Sequence, residues 1–204
     1  KGGRTKDIGR LLLGIGMMLL ALKLILAASL PMRESIIIQE ILVALGGDLV
    51  LAVIFAAIIA WAAHSSLATV LLIITLASTS ALDITVAYAF VLGANIGGAI
   101  PPFIATLGAN RTARQPPLGN LIFRVCGVLI ALPFIGMIAH QLSPLEVSHA
   151  RQIANFHMFF NIALAIMFFP LIDRMASLTG RLLPDDDDES EEFKPKHLDK
   201  SAFE

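Results

Sequence analysis

Three groups of residues in this chain have the types and spacing to do chemistry. They are a polar cluster, His64-Ser65-Ser66 with Thr69 one turn on; a run Gly93-Ala94-Asn95-Ile96-Gly97-Gly98 followed by Pro101-Pro102; and two basic side chains, Lys23 and Arg124, set in apolar surroundings. Hydroxyls donate to an oxyanion or accept toward a cation, and an imidazole with an ordinary pKa of about 6.5 would make anion binding pH-dependent. Glycines and prolines break a helix and open its carbonyls to a small cation such as Na+. Ionisable residues within a membrane-spanning segment are functional candidates, so Lys23 and Arg124 are candidate charges on a substrate path, although Arg124 can also snorkel from a helix that begins near Leu118. There is no metal-spaced His/Cys/Asp/Glu cluster, no G-x-S-x-G and no Walker loop, so neither an enzyme nor an ATP-driven pump is expected, nor any metal beyond Na+.

The elements that must position these residues belong in lipid. Hydrophobic residues make up 56% of the chain and charged ones only 15%, with a mean hydropathy of +0.79, more apolar than a water-soluble domain. The net charge of −1 offers no basic face for a nucleic acid. The single cysteine, Cys126, lies in an apolar run and reads as packing.

Leu11 to Leu30 is long enough for a helix to cross a bilayer core of about 30 Å. Pro31 and Gly46-Gly47 bound a loop in which Ile36 to Leu45 can form a short surface helix. Leu49 to Ser78 is too long for one straight helix and carries its polar cluster in the middle, so two half-helices meeting at His64-Ser65-Ser66 are expected. Ile84 to Leu107 reads as a crossing broken at its glycines and prolines. Two further crossings are expected at Leu118 to His140 and Ile153 to Ile172, before an acidic linker over 184–204. The pairs Asn120/Arg124 and His157/Asn161 put polar residues four apart on one face of each of the last two crossings.

Cytoplasmic loops carry excess Lys and Arg. The basic segments are residues 1–10, the Arg111/Arg114 loop and the Arg174/Arg181 flank. All three fall on one side only if 49–78 is a re-entrant hairpin rather than a full crossing. The expected fold is therefore all-α and integral to the membrane: about four transmembrane helices over 11–183, a re-entrant helical hairpin at 49–78, a broken helix at 84–107, and both ends of the chain in the cytoplasm.

Unpaired backbone groups at membrane depth cost several kcal/mol unless enclosed or wet, and two such interruptions suggest a ligand site. A half-helix starting near Ser65 would aim its free N–H groups and positive dipole end at an anion. In the competing reading the hydroxyls bond back to carbonyls one turn earlier and the glycines only let helices pack closely.

Ser65-Ser66-Leu67-Ala68 in a hairpin, followed by Gly93-Ala94-Asn95-Ile96-Gly97, resembles the paired signatures of the bacterial Na+/phosphate cotransporter family, related to the animal type II sodium–phosphate cotransporters. The usual signatures read Q-S-S-S and G-A-N-I-G-T-T, once in each of two inverted repeats. This chain, from about Gly9 onward, is similar to the second repeat. His64, Leu67, Gly98 and Ala99 depart from those signatures. The resemblance implies phosphate contacts at Ser65, Ser66, Asn95 and Gly97, with His64 and Gly98 in the flanking signature positions, and sodium contacts at Ser65, Ser66, Thr69 and Asn95. It further implies a secondary carrier in a bacterial inner membrane with Na+ as coupling ion and no cofactor, and the other inverted repeat as structural partner. The tail Lys194-Pro-Lys-His-Leu-Asp-Lys-Ser-Ala202 is similar to the linker that precedes a PhoU-like cytoplasmic domain.

Overall fold

The computed structural model of the chain describes residues 3–77, 82–142 and 148–183. The expected acidic linker and the end of the hairpin at Ser78 lie outside the described residues. Helices and their turns make up the described structure, with no strand among these residues: α1 (Gly3–Glu34), α2 (Ile36–Gly46), α3 (Leu49–Ala62), α4 (Ser66–Ala77), α5 (Ile84–Gly97), α6 (Ile100–Ala105), α7 (Arg111–Ala131), α8 (Ile135–Leu142), α9 (His149–Phe168) and α10 (Ile172–Leu182). Short 3-10 turns at Leu132–Phe134 and Phe169–Leu171, each placed at a proline, join α7 to α8 and α9 to α10. Among the described residues, four stretches are long and apolar enough to cross a membrane: Gly3–Met32, Ile84–Ala105, Arg111–Leu142 and His149–Leu182. On the first of them Leu13, Met17 and Leu24 stand exposed, as side chains meeting lipid do.

α5 is the axis of the molecule. Val86 through Asn95 are buried along the whole length of the helix, a pattern that suits an all-round apolar helix enclosed by others. α3, α4, α7, α8 and α9 all pack on it. Its closest neighbour is α3, because both helices present small residues. Ala52, Ala56 and Ala60 of α3 are fully buried, and a Cβ added at Gly93 or Gly97 would collide with the carbonyl oxygen of Val53 or Ala57 respectively. Small residues four apart are what let helix backbones touch in a membrane, where the hydrophobic effect gives no drive for association.

The ascending contacts, Gly93 on Val53 and Gly97 on Ala57, show that α3 runs parallel to α5. α4 starts beside Gly98, the C-cap of α5, and leads back to the α5 N-terminus. α3 and α4 thus form a helical hairpin of 14 and 12 residues, about 21 and 18 Å long at 1.5 Å per residue, each short of a bilayer core. Asp48 and Asp83 start α3 and α5 by accepting first-turn N–H groups on their carboxylates.

Residues 36–46 form a regular helix, N-capped by Ser35, the short helix that the sequence offered over Ile36 to Leu45. Two boundaries differ from the sequence expectation. Pro31 does not end the first helix, which continues to Glu34. The Arg111/Arg114 segment is the first turn of α7 rather than a loop: the Asn110 side chain accepts from Ala113 N at 2.9 Å, and the helix runs through Pro116 and Pro117. The carbonyls those prolines cannot bond belong to Thr112 and Ala113, both exposed, where water or headgroups satisfy them. Arg111 donates to the Gly180 carbonyl near the end of α10, so two of the three basic segments meet at one end of the bundle.

If the glycine seam sets the α3–α5 distance, Gly97→Leu should destabilise the purified protein at or above the top of the usual overpacking range of about 1–3 kcal/mol. Gly14→Leu, on an open face with nothing within 4 Å, should leave thermal unfolding in detergent nearly unchanged. Equal shifts for the two variants would refute the seam.

Candidate functional site

The hairpin tip follows from how α3 ends. Ser65 N–H donates to the Ala60 carbonyl and His64 N–H to the Trp61 carbonyl, the paired bonds of a Schellman motif. His64 occupies the left-handed position with φ of 51°, where glycine is usual and where His is tolerated better than most side chains. Its Nδ1 lies 3.1 Å from the Ala62 carbonyl oxygen. Ser65 then caps α4, its Oγ accepting from Ala68 N at 3.1 Å. Thr69 is buried and donates to the Ser65 carbonyl at 3.1 Å, the local back-bond of the competing reading.

Ser66, the first residue of α4, rests on Gly98. A Cβ at Gly98 would sit 2.8 Å from Ser66 Cβ and 3.2 Å from Ser66 N, so glycine there lets the helix start close on the end of α5 and keeps its first N–H uncovered. The polypeptide opens at the same place. Ala99 N–H donates to Ile96 rather than to Asn95, and Pro101 and Pro102 have no N–H for the Gly97 and Gly98 carbonyls one turn back. A helix N-terminus and freed carbonyls are thus side by side. His64, Gly98, Trp61 and Pro101 line a cavity of about 650 Å³ beside them.

Asn95 faces elsewhere. It is fully buried; its Nδ2 donates to the Val91 carbonyl at 2.9 Å and its Oδ1 accepts from Arg124 Nη1 at 2.6 Å. The same Nη1 reaches Asn161 Oδ1 at 3.3 Å and the Asn95 carbonyl at 3.5 Å, while Arg124 Nε donates to Asn120 Oδ1 at 3.2 Å. Because α7 begins at Arg111, Arg124 lies 13 residues inside it, about 20 Å from its start. The snorkelling alternative therefore fails: its guanidinium is gathered inward by three asparagines. The four-residue echo in sequence marks this cage, with Asn120 and Arg124 from α7 and Asn161 from α9; His157 supplies the carbonyl that accepts from Asn161 Nδ2 at 2.8 Å. Reading Asn95 together with the asparagines of the later helices would have found it.

Lys23 is not brought to either group. It is exposed on α1, with no hydrogen bond or ion pair among the described residues. Cys126 is half-buried.

The chain is thus a multi-pass helical membrane protein, with a helical hairpin seated on an interrupted central helix and a charged residue caged among asparagines. Residues 33–171 match the Na+/Pi-cotransporter family, and the chain belongs to that family. It is 35% identical over its whole length to the "Putative inorganic phosphate export protein YjbB" of Escherichia coli strain K12 and 34% identical to the protein of the same name in Salmonella typhimurium. It is 30% identical, over 59% of its length, to the "Uncharacterized protein YqeW" of Bacillus subtilis. The chain spans 37% of the length of the phosphate-export relatives and 39% of YqeW. No solved structure matches it significantly.

Asn95→Ala removes the shortest bond to Arg124, on its fully buried side. Hydrogen bonds to charged groups contribute about 1.5–3 kcal/mol in soluble proteins, and interhelical ones in membranes average nearer 0.6, so a loss of roughly 1–2 kcal/mol is expected. Asn120→Ala, at an exposed position, should cost less than half of that. Thermal unfolding of the two variants in detergent checks the order.

Proposed function

We propose that this chain is one of two inverted repeats of a sodium-coupled carrier that moves inorganic phosphate across a bacterial inner membrane. The observation that carries the reading is the seating of Ser66 on Gly98, which sets the N-terminus of α4 against the opened carbonyls of the α5–α6 break. The first N–H groups and positive dipole end of α4 suit a phosphate oxygen, with the Ser66 hydroxyl and the His64 ring beside them. The Gly97 and Gly98 carbonyls suit Na+, with the Ser65 hydroxyl next to Ser66 at the start of α4; of the other oxygens expected from the sequence, Asn95 Oδ1 is taken by Arg124 and the Thr69 hydroxyl is turned to the Ser65 carbonyl. A cation bound there stands close enough to favour an anion at the tip, and the anion favours the cation by the same factor. Family membership and the name of the phosphate-export relatives support phosphate as the transported ion.

In this reading α3 and α4 enter from the non-cytoplasmic side as a re-entrant hairpin and both ends of the chain lie in the cytoplasm. The meeting of Arg111 with the end of α10 agrees with that arrangement. The exposed apolar faces meet lipid and the opposite repeat, against which this one rocks. A PhoU-like cytoplasmic domain is the proposed partner beyond the acidic linker.

Flux of ³²P-phosphate in proteoliposomes holding the full-length protein tests this. Wild type should show flux that depends on the sodium gradient, and the Ser65→Ala/Ser66→Ala variant should lose at least about tenfold of it, the scale of one or two hydrogen bonds to an anion. Absence of flux in wild type under either gradient would replace the carrier with a phosphate-sensing membrane scaffold.

A further inference from the structure

Arg124 carries a charge that its cage does not neutralise. Nε and Nη1 bond to the side-chain oxygens of Asn95, Asn120 and Asn161, all neutral amides. The ion pair among the described residues, Arg10 with Asp7, is elsewhere. Nη2 makes no hydrogen bond among the described residues, and it is not among the enclosed polar atoms. An unneutralised guanidinium at mid-span is expensive in hydrocarbon, and such groups face a wet cavity or a counter-ion.

The cavity is present. Arg124, Asn120 and Asn161 line a cleft of about 360 Å³ between α7, α9 and α10 that also includes Ala165 and Phe169. Asn120, Phe123 and Ile172 also line a second cavity, of about 340 Å³, that reaches Gln115 and Thr179. The two form one groove along α7. Its outer end lies where Arg111 holds Gly180, and its inner end is Arg124, nine residues and about 13 Å further along the helix from Gln115.

We propose that this groove is an aqueous path from the Arg111/Arg181 end of the molecule, and that Arg124 Nη2 is a station on it for a tetrahedral oxyanion, separate from the hairpin tip. The asparagines spend the inner nitrogens of the guanidinium on fixed acceptors and so hold the remaining donor toward the groove. An oxyanion arriving there supplies both the acceptor and the negative charge that the cage lacks. The tip lies on the α3/α4 side of α5 and Arg124 on its α7 side, with Asn95 between them, so the station serves as the inner waiting position of the same anion. The proposal takes phosphate as that anion from the carrier reading, and its test does not depend on flux.

Cysteine labelling in the full-length protein, otherwise cysteine-free, tests it. Ala165→Cys places a thiol in the inner cleft without touching the cage, and Ile166→Cys places one on the exposed outer face. A membrane-impermeant anionic methanethiosulfonate, applied from the Arg111/Arg181 side, should label Ala165→Cys and not Ile166→Cys. Inorganic phosphate should slow the labelling of Ala165→Cys at least fivefold; Arg124→Gln should abolish that protection and Arg124→Lys should keep part of it, while Asn120→Ala controls for loosening of the cage. Protection without flux would uphold the station and defeat the carrier. Flux without labelling, or with labelling that phosphate leaves unchanged, would defeat the station alone.

Discussion

The carbonyl oxygens of Val53 and Ala57 lie where the Cβ atoms of Gly93 and Gly97 would be, and the rest of the molecule is arranged around that contact. Two helices can approach so closely only when one has glycine and the other nothing larger than alanine in the seam, and the gain is dispersion and weak Cα–H···O attraction rather than hydrophobic burial. Once α3 is fixed parallel to α5, its end has one place to go. The Schellman turn at His64 reverses the chain within three residues, and α4 must begin beside Gly98. The position of the hairpin tip is thus a consequence of packing two turns away.

α5 also separates two kinds of chemistry. On its α3/α4 side, a helix start and interrupted carbonyls offer partial charges made by the backbone. On its α7 side stands the full positive charge of Arg124, whose guanidinium donates a short bond to the buried Asn95 side chain. Asn95 belongs to the same glycine-rich run as Gly97 and Gly98, so the Arg124 cage and the α5–α6 interruption lie within one turn of each other on one helix.

Much of this was legible in the sequence because it follows from length and composition. Four long apolar stretches, a too-long fifth with a polar centre, and a Gly/Pro interruption lead to the crossings, the half-helices and the break. Pro31 misled because proline was taken to bound the helix, whereas near a helix end the freed carbonyl can lie exposed and cost little. The depth of Arg124 was underestimated because it was measured from a helix start placed seven residues too late. Gly93 and Gly97 were read either as part of a break or as glycines that let helices pack closely; the structure gives them the packing role, and which helix they meet emerged only with α3 alongside. The direction of the Asn95 side chain was not legible at all, because it depends on which neighbour α7 presents to it.

In the proposed carrier, a sodium ion and a phosphate ion occupy adjoining positions at the hairpin tip and the α5–α6 break, each strengthening the other. Equilibrium binding of ²²Na+ to the purified full-length protein, with and without saturating phosphate, tests it directly against the converse measurement of phosphate with and without sodium. Phosphate should raise sodium affinity by the same factor as sodium raises phosphate affinity, on the order of 5- to 150-fold. Binding of both ions with neither affinity changed by the other would contradict it.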